Sequence, residues 1–127
     1  MARVVLDSSA ILARVLGERG QEIVEAVVDG ASVSAVNLTE VVQRMIDLGA
    51  DDVGVAETLL ALTCQVLVFD EELALQAGLL RRTTRSKGLS LGDRACLALG
   101  KRLGLPVYTA DRAWAELDLG VEVVLIR

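Results

Sequence analysis

The sequence alternates between short apolar runs and longer segments in which apolar residues recur at helical spacing. The short runs are rich in Val, Ile and Leu, and most lack the polar alternation of a strand with one face in water. Strands with this pattern are buried on both faces, as in parallel sheets that are covered by helices. We therefore predict five strands, at residues 3–6, 31–35, 65–69, 107–109 and 122–126.

The segments between these strands carry residues that commonly begin and end helices. Gly17, Gly30 and Gly49 each follow an apolar-periodic segment, and glycine often ends a helix. Ser90, with an acidic residue three positions later, has the spacing of a capping box, and Gly104 ends that segment. The predicted helices span residues 9–16, 21–29, 38–48, 51 or 52 to about 62, 70 to about 83, and 90–104.

Length and composition limit this pattern to one domain. The chain has 127 residues, of which 53% are hydrophobic and 24% are charged. This is enough apolar material for one buried core but not for two independent ones. We predict a single α/β domain over residues 1–127, with a central, mostly parallel sheet of four or five strands flanked by helices.

The absence of His and the small number of Cys limit which catalytic and metal-binding sites the chain can form. The chain has no His and only two Cys, Cys64 and Cys96. Ser-His-Asp and Cys-His nucleophile systems, His-containing zinc sites and four-cysteine zinc sites are therefore excluded. Few cysteines, with neither a signal-peptide core nor an apolar stretch long enough to span a membrane, predict a cytoplasmic protein.

Acidic side chains occur where the strands of a parallel sheet would end. Asp7 directly follows the first predicted strand, and Asp111 follows the fourth. Glu40 and Asp93 lie in the first turns of the helices that follow the second strand and precede the fourth. Because ligands of open α/β sheets bind at the carboxyl ends of the strands, we expect these four carboxylates to converge at one edge.

A helix-capping role is the alternative for each acid, since carboxylates accept hydrogen bonds from free N–H groups in a first turn. Either role accounts for the two acids that lie in helices. Asp7 is harder to explain as a cap, because Ser8 and Ser9 follow it and can cap the helix themselves. Asp70 begins an acidic helix segment and is assigned to capping.

A cluster of four carboxylates needs a counterion. Two such charges about 4 Å apart repel by about 4 kcal/mol at an effective dielectric constant of about 20. Oxygen ligands without His or Cys favour Mg²⁺ or Mn²⁺, and ions held this way acidify water and neutralise charge on a phosphodiester. We expect phosphate-ester hydrolysis, in which the hydroxyls of Ser9 and Thr109 orient a ligand or a water molecule unless they are only a cap or a strand end.

Four sequence motifs contain these acids in a fixed order: LDSSA, NLTEV, LSLGDRACLALGKRLGLPV and YTADRAW. Together they resemble PIN-domain ribonucleases of the VapC type, the toxins of VapBC toxin–antitoxin pairs, and the resemblance covers the whole chain. It implies a metal-dependent endoribonuclease in which Asp7, Glu40, Asp93 and Asp111 surround Mg²⁺ or Mn²⁺. It also implies a homodimer, and inhibition by a cognate antitoxin whose C-terminal segment wraps the toxin and obstructs the site.

Basic residues are concentrated in one segment of an otherwise acidic chain. With 18 acidic and 13 basic residues the net charge is −5, the wrong sign for passive binding of nucleic acid. Arg81, Arg82, Arg85 and Lys87 fall within seven residues at the end of the fifth predicted helix. We expect this basic segment to contact RNA phosphates; alternatively, its charges complement a helix C-terminus in a solvated loop.

A receiver-type signalling domain is the competing interpretation. It is also a small parallel α/β protein with an acidic pocket, in which Asp70 would be the phosphorylated residue. Such a site needs an acidic pair after its first strand and a Lys after a late strand, whereas here two serines follow Asp7 and Ala110 precedes Asp111. A non-nucleolytic binding module is the third interpretation. Nuclease activity that disappears both with a chelator and with Asp7→Asn would exclude it.

Overall fold

A computed structural model describes residues 3–127 of the chain. These residues contain five short strands: β1 (Val5–Leu6), β2 (Ser32–Ser34), β3 (Gln65–Leu67), β4 (Val107–Thr109) and β5 (Val123–Leu125). They form one sheet in the order β3-β2-β1-β4-β5, and each pair of neighbours is parallel. The predicted α/β class is confirmed, although the strands pair over shorter lengths than the apolar runs. The predicted domain boundary at residue 1 lies outside the described residues.

Helices connect the strands and pack on the sheet. Within the described residues, no helix has both the length and the apolar character needed to cross a bilayer. The helices are α1 (Ser8–Leu16), α2 (Gln21–Val27), α3 (Ala35–Asp47), α4 (Asp52–Ala61), α5 (Glu71–Leu79), α6 (Arg81–Thr84) and α7 (Leu91–Leu103), with short 3-10 helices at Arg85–Lys87 and Arg112–Glu116.

The core consists of two apolar clusters that share the central strand β1. Val4 and Leu6 belong to one cluster, with residues of α1, α2 and α3, and Val5 belongs to the other, with residues of α5 and α7. Successive side chains of a strand point to opposite faces, so both faces of β1 must be apolar. Asp7 is the first polar residue after this strand and therefore lies where the apolar core ends.

Helix α3 begins earlier than the sequence predicts. Its first residue is Ala35 rather than residue 38, because Ser34 at the end of β2 caps it: Ser34 Oγ accepts a hydrogen bond from Val36 N at 3.2 Å. The prediction that Glu40 lies in the first turn is therefore wrong, and that turn contains no acidic residue. Capping cannot account for Glu40, which lies in the second turn of α3.

The fifth predicted helix is divided at Leu80. Helix α5 ends at Leu79, and α6 and a 3-10 helix follow. The carbonyl of Leu80 accepts hydrogen bonds from Thr83 N at 3.2 Å and from Thr84 Oγ1 at 2.7 Å. Threonine hydroxyls that bond back to a carbonyl compete with regular helix geometry. The basic segment is thereby separated from α5 and leads directly into α7.

The end of α7 sets the position of β4 beside β1. Gly104 has a φ of 65°, in the left-handed region that favours glycine, and Leu105 N donates to Gly100 O at 3.1 Å. This arrangement ends the helix. Pro106 O then accepts from Val5 N at 2.9 Å, and Asp7 N donates to Tyr108 O at 3.0 Å. The carboxyl ends of β1 and β4 therefore lie side by side.

Candidate functional site

Asp7 lies at the carboxyl end of β1 with its carboxylate in the interior. Only 3% of the residue is exposed. Its Oδ2 accepts hydrogen bonds from Ser9 Oγ at 2.6 Å and from Thr109 Oγ1 at 2.9 Å. Its Oδ1 is buried and has no hydrogen-bond partner among the described residues. Because a buried acceptor without a partner is costly, Oδ1 is the atom that a bound cation would satisfy.

Asp7 occupies the N-cap position of α1 but makes no capping hydrogen bond. The expectation that Ser8 or Ser9 caps this helix is wrong, because both residues lie inside it. Ser9 Oγ instead contacts Asp7, accepts from Ala110 N at 2.9 Å and lies 3.2 Å from Thr109 Oγ1. The two predicted hydroxyls therefore both hold the same oxygen of Asp7 and link α1 to the end of β4.

Burial raises the pKa of Asp7 from its ordinary 3.8 to about 6. The hydrogen bonds from Ser9 and Thr109 lower this pKa, and the negative charges of Asp93 and Glu40 raise it further. Burial, followed by the charges of the same three carboxylates, also raises the pKa of the Cys96 thiol well above its usual value. The charges of Glu40 and Asp93 therefore act on the buried Asp7 carboxyl group.

Glu40 is half-buried on α3 and is held by neutral groups. Asn37 Nδ2 donates to Glu40 Oε1 at 3.0 Å and also to Gly92 O at 3.0 Å. Asn37 itself is fully buried. The sequence patterns did not reveal either Asn37 or Gly92 as part of the site. Asn37 lies three positions before Glu40, which is one helical turn, but the predicted helix began at residue 38 and so did not include it.

Asp93 combines a structural role with its place at the site. It is the third residue of α7, and Ser90 is the N-cap. Ser90 N donates to Asp93 Oδ2 at 2.9 Å, and Asp93 N donates to Ser90 Oγ at 3.2 Å, which confirms the predicted capping box. The cap holds one oxygen of the carboxylate, and the negative charge of Asp93 still contributes to the raised pKa of Asp7. Capping and a functional role are therefore compatible for Asp93.

Asp111 follows β4 at the same edge of the sheet, but its side chain is exposed. Its Oδ1 accepts from Ala113 N at 3.0 Å, so it caps the 3-10 helix at Arg112–Glu116. Its backbone N donates to Thr109 Oγ1 at 3.1 Å, which connects it to the hydroxyl that holds Asp7. The charge of Asp111 is not among those that raise the pKa of Asp7. It is thus the most peripheral of the four predicted acids.

Comparison with known proteins assigns this arrangement to a family. The family model described as PIN domain matches residues 4–119. The chain belongs to the PIN-domain family. A search of curated proteins found no significant match.

Solved structures with this PIN fold include chains from toxin–antitoxin complexes. A chain of DNA-bound VapBC from Salmonella typhimurium gives a TM-score of 0.80 at 19% identity, covering 100% of both chains. A chain of VapBC-5 from Mycobacterium tuberculosis gives 0.63 at 26% identity, covering 100% of this chain and 99% of that chain. Mycobacterium tuberculosis VapC20, described as a sarcin-ricin loop cleaving toxin, gives 0.70 at 18% identity, covering 94% of this chain and 98% of that chain.

The donors of this PIN domain fit a hard divalent cation. Within residues 3–127, no three His, Cys, Asp or Glu side chains are already close enough around one point to hold a metal ion. The chemistry of the donors is nevertheless suitable, because they are carboxylate oxygens and one of them, Asp7 Oδ1, is buried without a partner. A bound ion would draw the carboxylates of Asp7, Glu40 and Asp93 closer together than they are in the free protein.

The cations of the basic segment lie at the surface of the PIN domain. Arg81, Arg82, Arg85 and Lys87 are all exposed, and among the described residues none of the four forms an ion pair. The segment ends three residues before Ser90, the N-cap of the helix that carries Asp93. It therefore leads toward the acidic edge of the sheet.

Asp70 has the structural role predicted for it. Its Oδ1 accepts from Leu73 N at 2.9 Å as the N-cap of α5, and its Oδ2 lies 2.9 Å from Arg102 Nη2. The hydrogen bond from Arg102 is the main reason that the pKa of Asp70 is lowered. A cavity of about 250 Å³ between α5 and α7 adjoins Glu72 and Arg102 and includes none of the four predicted acids. This region does not resemble the phosphorylation site of a receiver domain.

Proposed function

We propose that this PIN domain is a metal-dependent endoribonuclease that hydrolyses RNA phosphodiester bonds, with Mg²⁺ or Mn²⁺ as its cofactor. One observation carries the proposal: the buried Asp7 has an oxygen without a partner and faces the charges of Glu40 and Asp93. Such an arrangement is unfavourable in the free protein and becomes favourable when a cation binds. Perturbed carboxyl groups of this kind are typical of functional sites.

Asp7, Glu40, Asp93 and Asp111 would hold the ion. When bound, the ion acidifies water and neutralises charge on the phosphodiester. Ser9 and Thr109 fix Asp7 through Oδ2, which leaves Oδ1 in a constant orientation. Asn37 Nδ2 donates a hydrogen bond to Glu40 Oε1, and Ser90 N donates one to Asp93 Oδ2. The other oxygens of these two carboxylates remain free to bind the ion or to hold the proton of the attacking water.

We further propose that the protein is the toxin of a type II toxin–antitoxin pair in the cytoplasm. The support is its likeness, over nearly the whole chain, to chains of VapBC complexes. In this proposal a cognate antitoxin protein covers the acidic edge, and the toxin is a homodimer. Sedimentation equilibrium of the full chain tests the dimer, since a monomeric mass at micromolar concentration would contradict it.

The deciding experiment measures cleavage of purified RNA with Mg²⁺ or Mn²⁺. We expect Asp93→Asn to lower the cleavage rate by about 100-fold or more, because it removes charge from the site, and we expect EDTA to abolish cleavage. Asp70→Asn is the matched control, since Asp70 caps a different helix, and should cleave like the wild type. Cleavage that resists EDTA, or an Asp93→Asn variant as active as the wild type, would refute the proposal.

A further inference from the structure

Asn37 connects two helices that carry different acids of the site. It lies on α3, one turn before Glu40, and its side chain is fully buried. Its Nδ2 donates to Glu40 Oε1 on the same helix and to Gly92 O on α7, both at 3.0 Å. If the amide were reversed, its oxygen would face two acceptors, so only this orientation satisfies the contacts. Asn37 therefore sets the position of the Glu40 carboxylate relative to the first turn of α7.

Gly92 supplies the space in which that carboxylate lies. A Cβ at this position would overlap with Glu40 Cδ and with both of its carboxylate oxygens. The backbone of Gly92 is helical and has no positive φ, so its conformation does not require glycine. Glycine inside a helix costs about 0.5–1 kcal/mol relative to alanine. The Glu40 carboxylate is thus the nearest group to the space that a side chain at position 92 would take.

The chemistry of the amide suits a site that must keep its negative charge. A Lys or Arg at position 37 would also donate to Glu40, but its charge would neutralise the carboxylate and compete with a cation. An Asp would place a further negative charge at 3.0 Å from Glu40. The neutral amide donates a hydrogen bond and leaves the net charge of the cluster unchanged.

We propose that Asn37 and Gly92 form a cradle that fixes the Glu40 carboxylate against the first turn of α7, beside Asp93, so that Asn37 is a positioning residue and Gly92 sets the shape of the site. This inference rests on the proposed metal-dependent function, which it deepens. Removing the groups that hold metal ligands in place changes metal affinity by about 10- to 100-fold. The cradle should therefore affect binding of Mn²⁺ before any RNA is present.

The first test measures Mn²⁺ affinity of the full chain by calorimetry. We expect Asn37→Ala to weaken Mn²⁺ binding by about 10-fold or more, and Asn37→Ser, which keeps a donor group, to recover part of the affinity. Thr84→Val is the control: Thr84 is also buried and hydrogen-bonded, but it contacts Leu80 O in α6. It should lower the melting temperature and leave Mn²⁺ affinity unchanged. Affinity of a folded Asn37→Ala within about twofold of wild type would overturn the inference.

The second test needs neither metal nor RNA. We expect Gly92→Ala to lower the melting temperature of the wild type, because its Cβ meets Glu40. In the Glu40→Ala background the space is free and alanine is the better helix former, so the same change should raise the melting temperature. An equal effect of Gly92→Ala in both backgrounds would contradict the cradle, even if Asn37 variants do not fold.

These tests separate the cradle from the proposed function. If the wild type binds Mn²⁺ and the variants behave as expected but RNA is not cleaved, the nuclease proposal fails and the cradle remains. If the wild type cleaves RNA and the Asn37 and Gly92 variants bind Mn²⁺ as the wild type does, the nuclease proposal remains and the cradle fails.

Discussion

At the scale of single residues, the burial of the Asp7 carboxyl group lowers the stability of the metal-free protein at neutral pH. This group has a pKa of about 6 in the folded protein and 3.8 as its ordinary value, mainly because it is buried. At a pH well below 3.8, Asp7 is protonated in both the folded and the unfolded state, so its raised pKa does not change the free energy of unfolding. As the pH rises through the folded-state value, ionisation in the folded state costs up to about 3 kcal/mol of stability relative to the unfolded chain.

We therefore predict that Asp7→Asn stabilises the metal-free protein at neutral pH. Asparagine can accept the two hydroxyl hydrogen bonds through its oxygen and carries no charge. The increase in the free energy of unfolding should approach about 3 kcal/mol at about pH 7.5, reduced by the cost of burying the N–H groups of the asparagine amide. The increase should disappear near about pH 4. Thermal melts with EDTA at the two pH values measure it. A difference in melting temperature that is the same at both would show that ionisation of Asp7 is not its cause.

Which residues were predictable depends on how far their partners lie along the chain. Asp7 and Asp111 follow strands directly, so the end of each apolar run located them. The role of Asn37 depends on a contact with Gly92, 55 residues away, which forms only when α3 and α7 pack together. The side-chain direction of Asp111 depends likewise on a 3-10 helix that no apolar periodicity indicates.

At the scale of elements, close packing of α7 on β4 gives a second prediction. Gly100 is buried, and a Cβ there would overlap with Val107 Cγ2. Gly100→Ala should destabilise the fold by about 1–3 kcal/mol, because the tightly packed interface must shift. Gly78→Ala on the exposed side of α5 is the matched control, since nothing lies within 4 Å of its Cβ. It should stabilise by about 0.5–1 kcal/mol.

Urea unfolding of the two glycine variants at one pH measures the contrast. Both changes add the same methyl group to a helix, so their difference isolates the contact with Val107 from helix propensity. If Gly100→Ala is as stable as Gly78→Ala, then α7 and β4 are not as close as described.

Helix ends were easier to predict than helix interruptions. Ser90 and Gly104 bound α7 as predicted, because capping depends on local hydrogen bonds. The division at Leu80 arises from hydroxyls that bond back to its carbonyl, in a segment whose composition still favours a helix. The early start of α3 has a similar origin, since Ser34 ends β2 and caps α3 within one residue. Helix propensity alone predicts neither the division at Leu80 nor the early start of α3.

At the scale of the whole molecule, charge is distributed unevenly. The net charge is −5, and the site itself adds negative charge that repels a polyanion. The exposed cations of the basic segment lie just before the helix that carries Asp93. In our proposal, an RNA strand contacts these cations while one of its phosphodiesters reaches the acidic edge. The parallel sheet was predicted, but its order was not, because that order follows from how the helices cross over and not from any local pattern.

The basic segment should make RNA binding depend on salt. In an Asp93→Asn background, which prevents cleavage in our proposal, Arg81→Ala/Arg82→Ala should weaken binding of single-stranded RNA similarly for all sequences. It should also reduce the slope of log affinity against log salt by about 0.7 for each phosphate that the protein no longer neutralises. Arg44→Ala, an exposed cation in the last turn of α3, should leave the slope unchanged. Equal slopes for the double variant and the Arg44 control would mean that the basic segment is only a solvated helix end and that RNA reaches the carboxylates by another surface.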